Sequence, residues 1–432
     1  FKVLTMAAAL DCGAINLETN FHCSGSEQIP GRSQLLHCWR STGHGAEKTP
    51  QALQNSCNVA FVNIGQRIGA ERFYDYCEAF GFLNLSSDPD ANLSAKTGID
   101  LSGESGSIWW SKNTFCSEKN LSQLAAASFG QTFKLTPLQL VRAIASVVNG
   151  GNLMEPYIVS EILDGDGETV MKAEPTVVRQ TISRETSDTM RTLIQSVVEE
   201  GTAKNAKVAG FAIGGKTGTS EKIDVFDENG QRVQDKIVSF VGVAPMDDPE
   251  YIVLVALDTP SRSTGIYISG GVMAAPTVGA VMADILPYLE VKRNFAPEDA
   301  AGREVTVEDF TGLDLKEAQK KLKELGLTAQ MIGTGETVVA QLPTVGSTVP
   351  GNSQIILYLE EKPEIQKVKV PDFTGMTRQQ ANDAAGLLGL YILVSGNNGL
   401  DAVVTAQSYD KDTEISVGTT IKLEFADIKA AD

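Results

Sequence analysis

One short stretch of the sequence carries residue types suited to binding a carboxylate. An apolar run at 208–213 leads into Gly-Gly-Lys-Thr-Gly-Thr, whose candidate binding residues are Lys216, Thr217, Gly218 and Thr219. The apolar run predicts entry into a buried strand, and small residues would let the backbone of a ligand lie along the strand edge. Lysine supplies a fixed positive charge and threonine supplies hydroxyl groups. The stretch therefore predicts a strand that holds the carboxylate of a substrate.

The same triplet occurs a second time, at Lys96, Thr97 and Gly98. This copy lies in a Ser-, Asp- and Gly-rich segment with no apolar strand before it, which predicts a structural turn. A Lys-Thr-Gly triplet is therefore weak evidence unless other motifs accompany it.

Two further sets of residues could do chemistry with the first triplet. Ser56 and Asn58 stand at the junction between a helix that begins near Pro50 and an apolar run, where an ordinary helix cap is the simplest structural interpretation. Lys2 lies at the start of an Ala- and Leu-rich segment at 1–13, which predicts a helix. Chemistry would require tertiary structure that brings these elements to the strand at Lys216.

Composition limits the class of protein. The 432 residues exceed one ordinary core and predict two or three domains, and the hydrophobic fraction of 42% is typical of globular proteins. The net charge of −18, with no block of Lys and Arg, argues against nucleic acid as a partner. The longest apolar candidate for a membrane helix, 270–289, contains Asp284 and two prolines and predicts a core helix instead.

Six cysteines all lie in the first third of the chain. Cys23 and Cys38 each follow a histidine, at His22 and His37, which suggests a metal site. Adjacent side chains on a strand point to opposite faces, however, so one metal could not easily collect all four, and no metal is expected. A Cys23–Cys38 disulfide and two free thiols both stay open.

The order of predicted elements divides the chain. Residues 1–291 contain helices and antiparallel strands and predict an α+β domain. A charged linker is expected at 292–302. Beyond it the sequence repeats with a period of 63, because Asp309-Phe-Thr-Gly returns at Asp372. The repeats, at 303–361 and 367–427, each predict a small βαββ module.

Taken together, the motifs resemble those of class B penicillin-binding proteins. A Ser-x-x-Lys motif, a Ser-x-Asn triplet and Lys-Thr-Gly form the signature of penicillin-recognising enzymes. Further resemblance lies in Gly43-His44-Gly45, in the segments 97–101 and 136–140, and in Ser239-Phe240-Val241-Gly242. The two repeats resemble PASTA domains, which in this family belong to Gram-positive bacteria. The resemblance implies the transpeptidase fold, with helices on both faces of an antiparallel sheet, followed by two PASTA modules.

The resemblance also implies a reaction and roles for the candidate residues. A peptidoglycan D,D-transpeptidase forms an acyl-enzyme with a stem peptide through a serine, which would lie three residues before Lys2 and beyond the first residue given. The chain as written is therefore not expected to acylate. Lys2 would be the base, and Ser56 would relay a proton to the leaving amine. Asn58 would hold the substrate amide.

Lys216, Thr217 and Thr219 would bind the terminal carboxylate by the same resemblance, and the Thr219 N–H would complete an oxyanion hole. The expected partners are peptidoglycan stem peptides, β-lactams and a glycan-polymerising protein, and no cofactor is expected. An N-terminal membrane anchor outside this sequence would hold the protein at the extracytoplasmic face. A β-lactamase or β-lactam sensor and a non-enzymatic division scaffold are the alternatives, and the choice between division and spore-cortex synthesis stays open.

Overall fold

The structure is a computed structural model of the chain. It describes residues 1–432 except 85–94, 209, 223–224, 227–229, 232, 234, 264, 292–303, 352, 361–365, 398–401 and 428–432. The predicted linker at 292–302 lies outside the described residues.

The described part of the first domain contains nine α-helices and eleven strands. The helices are α1 (Lys2–Asp11), α2 (Thr49–Gln54), α3 (Asn58–Ile68), α4 (Ala70–Ala79), α5 (Lys112–Phe115), α6 (Leu121–Ala127), α7 (Pro137–Val148), α8 (Arg184–Glu199) and α9 (Ala275–Tyr288). The strands are β1 (Asn20–Cys23), β2 (Ser26–Glu27), β3 (Leu36–His37), β4 (Gly45–Lys48), β5 (Asn152–Met154), β6 (Glu161–Leu163), β7 (Thr169–Lys172), β8 (Val177–Gln180), β9 (Gly214–Glu221), β10 (Lys236–Ala244) and β11 (Tyr251–Asp258).

A three-stranded antiparallel sheet lies at the centre of this domain, in the order β11-β10-β9. A Cβ atom added at Gly214 would contact Ile194 of α8, and one added at Gly242 would contact Val278 and Met282 of α9. Gly242 is paired with Gly215, the residue after Gly214, so these two contacts lie on opposite faces of the sheet. The predicted antiparallel sheet with helices on both faces is confirmed.

Two helices of this domain are notably apolar. The segment Gly270–Tyr288 is long and apolar enough to cross a membrane by length and composition alone. In the structure its residues Val278, Met282 and Leu286 are fully buried. The other helix, α1, is buried from Lys2 to Ala9 and packs against α3 and α8. Burial on all sides fits its Ala- and Leu-rich sequence and fixes the position of Lys2 at its first turn.

The described part of each C-terminal repeat consists of one helix and five short strands. The first comprises β12 (Glu304–Thr306), α10 (Leu315–Glu324), β13 (Thr328–Ile332), β14 (Ala340–Leu342), β15 (Thr348–Pro350) and β16 (Gln354–Tyr358). The second comprises β17 (Lys367–Lys369), α11 (Arg378–Leu387), β18 (Tyr391–Gly396), β19 (Val403–Gln407), β20 (Glu414–Ser416) and β21 (Thr420–Ala426).

The two modules share one topology. Each has a three-stranded sheet, β13-β16-β14 or β18-β21-β19, and a separate two-stranded sheet, β12-β15 or β17-β20. Phe310 and Phe373, which stand at equivalent positions of the repeated motif, are fully buried in the two small cores. The predicted helix of each module is present, but four strands follow it where the βαββ pattern predicts two. The strands of the two-stranded sheets are only three residues long and give too little alternation to be read from sequence.

Candidate active site

Lys2 connects the start of α1 to the junction between α2 and α3. Its ammonium Nζ donates to the Ser56 carbonyl oxygen at 2.6 Å, to Ser56 Oγ at 3.0 Å and to Asn58 Oδ1 at 2.8 Å. Nζ also lies 5.4 Å from the ring centroid of Phe61, a residue of α3. Because every one of these contacts is long-range in sequence, only the packing of α1 against α3 assembles the group.

The backbone around Ser56 explains how two functional side chains reach the same place. Ser56 follows the end of α2 and has a left-handed φ of 53°, which is uncommon for a residue other than glycine. Cys57 is the N-cap of α3, and its Sγ accepts from the Ala60 N–H at 3.4 Å. Asn58 begins α3, and its Nδ2 donates to the His37 carbonyl oxygen at 3.1 Å. The tight turn therefore directs Ser56 and Asn58 toward Lys2, while local strain is offset by the cap and the helix contacts.

The carboxylate-binding candidates lie on β9, where the predicted strand is observed. Lys216 is buried, and its Nζ donates to Thr217 Oγ1 at 3.2 Å. Thr217 Oγ1 also lies 3.2 Å from Thr202 Oγ1, and Thr219 Oγ1 accepts from the Gly270 N–H at 3.3 Å. The strand runs from buried residues at Gly214 to exposed residues at its far end. This gradient gives solvent access to the threonines while the charge of Lys216 stays in a low-dielectric setting.

β9 is also an edge strand of the central sheet. Its second row of backbone N–H and C=O groups is therefore not used by β10 and can pair with an extended ligand. Glycine is required where the strand packs closely, because a Cβ atom at Gly215 would lie 2.3 Å from the Val241 carbonyl oxygen.

Burial changes the ionisation of both lysines. Removal from water lowers the pKa of Lys2 to about 8, although the nearby Cys38, Cys57 and Glu47 act in the opposite direction. Burial and the charge of Lys2 together hold the pKa of Lys216 well below its usual value. Two buried lysines, one of which lowers the pKa of the other, form the kind of environment in which a neutral amine is accessible near neutral pH.

The structure therefore brings together the predicted residues Lys2, Ser56 and Asn58, and Lys2 lies close enough to Lys216 to lower the pKa of that lysine. The second Lys-Thr-Gly copy lies elsewhere, in the loop region after α4, and Thr97 there hydrogen-bonds Glu104. Sequence reasoning missed Thr202 and the His37 carbonyl oxygen. Neither carries a local signal, because one is a single threonine after a helix and the other is a backbone group.

A second cluster of reactive side chains adjoins Ser56 and Asn58. Cys23 and Cys38 are free thiols in the structure, so the disulfide between them stays a prediction. Their sulfur atoms lie with those of Cys57 and a ring nitrogen of His44 in a group whose donor atoms are all within 4.8 Å of one another. The adjacent His22 and His37 are exposed and belong to no such group among the described residues. The sequence places His22 and His37 next to the two cysteines, whereas the structure brings His44 and Cys57 to them.

Comparison with known proteins identifies the family. The model of the penicillin-binding protein transpeptidase domain matches residues 1–283, and the PASTA domain model matches residues 305–361 and 368–427. Stage V sporulation protein D of Bacillus subtilis is 37% identical over 374 residues, covering 84% of this chain and 54% of that protein. Penicillin-binding protein PbpB of Mycolicibacterium smegmatis is 31% identical over 290 residues, covering 64% of this chain and 40% of that protein. The chain thus spans about half the length of the curated relatives it matches.

Solved structures give the same fold. Penicillin-binding protein 2X from Streptococcus thermophilus aligns over 99% of this chain and 60% of that chain, with a TM-score of 0.51 and 21% identity. Penicillin-binding protein 3 from Mycobacterium tuberculosis, in its complex with aztreonam, aligns over 68% of this chain and 62% of that chain, with a TM-score of 0.57 and 26% identity.

Proposed function

Because this chain belongs to the penicillin-binding protein transpeptidase family and carries two PASTA domains, we propose that the full-length protein is a peptidoglycan D,D-transpeptidase. The observation that carries the proposal is the bonding of Lys2 Nζ to both Ser56 Oγ and Asn58 Oδ1, beside the buried Lys216. Relatives named as peptidoglycan D,D-transpeptidases support the same assignment.

The proposed nucleophile is a serine three residues before Lys2 in the full-length protein. One helical turn separates residues at that spacing, so the hydroxyl would face the Lys2 amine. The Phe1 nitrogen is buried and lies close enough to Lys216 and Lys2 for their charges to act on it. The chain preceding Phe1 therefore leads directly into the region between the two lysines.

The proposed reaction proceeds in two acyl transfers. Neutral Lys2 takes the serine proton as Oγ attacks the penultimate D-alanine carbonyl of a stem peptide, and the oxyanion accepts N–H bonds from Thr219 and the serine. The C–N bond then breaks, and Ser56 passes a proton to the departing D-alanine amine. An amine of a neighbouring stem attacks the ester, restores the serine and forms the cross-link.

The remaining groups position the substrate in this proposal. Asn58 holds a peptide amide, while Lys216, Thr217 and Thr219 bind the terminal carboxylate. A backbone lying along the edge of β9 past Gly218 would complete the contact. β-Lactams would acylate the same serine, as their carboxylate and amide bond occupy equivalent positions. An N-terminal anchor would hold the enzyme at the extracytoplasmic membrane face beside a glycan-polymerising partner.

The test is the mass of the intact full-length protein before and after incubation with a fluorescent penicillin. A single stable adduct, lost when the serine three residues before Lys2 is replaced by alanine, is the expected result. The 432-residue chain, which does not include that position, is the matched control. No adduct would favour a non-enzymatic scaffold, and rapid loss of the adduct would favour a β-lactamase.

A further inference from the structure

Four potential metal ligands converge next to the Ser56–Asn58 turn. They are the sulfur atoms of Cys23, Cys38 and Cys57 and a ring nitrogen of His44, all within 4.8 Å of one another. The three cysteines are buried and His44 is half-buried. Cys38 Sγ and His44 Nδ1 are already 3.6 Å apart. No residue of this group has a role in the proposed transpeptidation.

The backbone is shaped to bring these ligands together. The pairing of β1 with β4 sets Cys23 opposite Gly45, the neighbour of His44. Gly43 has a φ of 77°, and a Cβ atom there would lie 2.2 Å from the Cys23 carbonyl oxygen. Gly25 has a φ of 96°, and a Cβ atom there would lie 2.0 Å from the Ser41 carbonyl oxygen. Two glycines therefore permit the close crossing of the two segments that carry Cys23 and His44.

The remaining two ligands are held by hydrogen bonds to fixed elements. The Cys38 N–H donates to the Gly25 carbonyl oxygen at 2.9 Å, which ties Cys38 to the same crossing. Cys57 is fixed as the N-cap of α3. The ligands thus come from four separate positions of the chain, and each has a backbone anchor of its own.

The electrostatics of the cluster favour a cation. The carboxylate of Glu47 is also buried beside Cys57, with Oε1 unpartnered among the described residues. Three sulfur atoms and a carboxylate therefore lie close together in the protein interior. A divalent cation would neutralise them and satisfy the thiolates directly.

We propose that Cys23, Cys38, His44 and Cys57 bind a Zn²⁺ ion in a closed tetrahedral site. Thiolate and imidazole are the ligands that zinc prefers, at about 2.3 Å for sulfur and about 2.0–2.1 Å for nitrogen. Tetrahedral geometry with these bond lengths places sulfur and nitrogen about 3.6 Å apart, the separation that Cys38 and His44 have. Four protein ligands leave no open position, so the ion is structural and does not activate water.

The proposed ion would position the active-site turn. Cys57 stands between Ser56 and Asn58, and Asn58 Nδ2 is bonded to the carbonyl oxygen of His37, the residue before Cys38. Zinc bound to Cys38 and Cys57 would fix both sides of this contact. The four ligands are positioning residues, because none of them would touch the substrate.

The first experiment measures metal content in the 432-residue chain after expression in zinc-supplemented medium. Plasma mass spectrometry is expected to find one zinc per chain. Replacement of zinc by Co²⁺ is expected to give thiolate-to-cobalt charge-transfer bands and the intense visible bands of a tetrahedral site. Cys38→Ser and His44→Ala should each weaken zinc binding by about tenfold or more, because even groups outside the coordination shell change metal affinity by that amount.

The matched control is Cys116→Ser, which removes a free, half-buried cysteine that is not part of the cluster. It should keep one zinc and the cobalt spectrum. Equal zinc in Cys38→Ser and in the unmutated chain would overturn the proposal, since the metal would then be bound elsewhere. A metal-free chain without cobalt bands would overturn it as well.

A measurement on the unmutated chain removes any dependence on the folding of variants. A strong chelator should lower the melting temperature and expose three additional thiols to a thiol reagent, and added zinc should reverse both changes. An intact mass lower than that of the reduced chain by two hydrogen atoms, together with a disulfide mapped among Cys23, Cys38 and Cys57, would overturn the zinc proposal. The cluster would then be a disulfide site. Neither result depends on acylation, so the zinc proposal and the transpeptidase proposal can fail separately.

Discussion

The two Lys-Thr-Gly triplets of this chain have identical sequences but different structural surroundings. Lys216 is buried on an edge strand of the central sheet, where burial and the charge of Lys2 lower its pKa. Lys96 is exposed, and Thr97 beside it is buried against the carboxylate of Glu104, which accepts from the Thr97 N–H at 2.7 Å and from its Oγ1 at 2.6 Å. The donors of the loop copy are bonded to a side-chain carboxylate, whereas the strand copy is proposed to present its donors to a ligand.

The comparison shows what gives a short motif its chemistry. In the strand, the low dielectric of the interior strengthens the electrostatic interactions of the lysine, and the edge of the sheet has backbone groups that can pair with a ligand backbone. In the loop, solvent screens the lysine and a side-chain carboxylate already occupies the place that a substrate carboxylate would take. A motif of three residues is therefore informative only with its secondary structure and its neighbours.

The largest expected difference concerns the two lysines. Lys216→Ala in the full-length protein should slow acylation by fluorescent penicillin by about 100-fold or more, because it removes the buried lysine that is proposed to bind the carboxylate. Lys96→Ala should leave the rate unchanged within about twofold, since an exposed charge is screened. Stopped-time gel fluorescence measures both rates. Similar losses in the two variants would contradict the distinction between the copies.

The second expected difference concerns the loss of stability when a glycine is replaced by alanine in the strand and in the loop. Gly215→Ala places a Cβ atom against the Val241 carbonyl oxygen and the Phe240 ring and should destabilise the protein by about 3 kcal/mol. Gly98→Ala meets no atom closer than 3.6 Å and is strained only by its φ of 83°, which costs about 1 kcal/mol. Urea unfolding compares the two variants. A larger loss for Gly98→Ala would show that the strand is less tightly packed than the structure indicates.

The rate of acylation is expected to depend on pH through the ionisation of Lys2. The pKa of Lys2 is lowered to about 8, so the amine is protonated below that pH and cannot accept the serine proton. Acylation of the full-length protein should therefore rise about tenfold from pH 7 to pH 9 and then level off. Lys96→Ala should have the same profile as the unmutated protein. A rate independent of pH over this range would remove Lys2 from the role of base.

The smallest effect is expected at Glu104. The Thr97 and Gly98 N–H groups and the Thr97 hydroxyl donate to this carboxylate and, although partial burial opposes them, lower its pKa. Glu104→Gln weakens charged hydrogen bonds and should reduce the free energy of unfolding by about 1 kcal/mol. Urea unfolding should detect this loss, and the acylation rate should not change. A tenfold loss of acylation would show that the loop copy supports the site.

Local patterns in the sequence were sufficient for the fold class, the repeats and the strand that carries Lys216. The repeats were visible because the same Asp-Phe-Thr-Gly motif recurs, and hydrophobic runs mark buried strands whatever surrounds them. The different characters of the two Lys-Thr-Gly copies could also be predicted, because the residues before each copy either form an apolar run or do not.

Only the tertiary structure decided which distant groups meet. Lys2 bonds to residues more than fifty positions away, and the pKa shifts of Lys2 and Lys216 depend on burial that no local pattern encodes. Cys23 and Cys38 have similar local sequences, which suggests that they form a pair. No local pattern indicates that His44 and Cys57 lie beside them. Composition and spacing specify the elements, but the approach of two segments depends on packing over the whole domain, and in this cluster on the close crossing at Gly25 and Gly43.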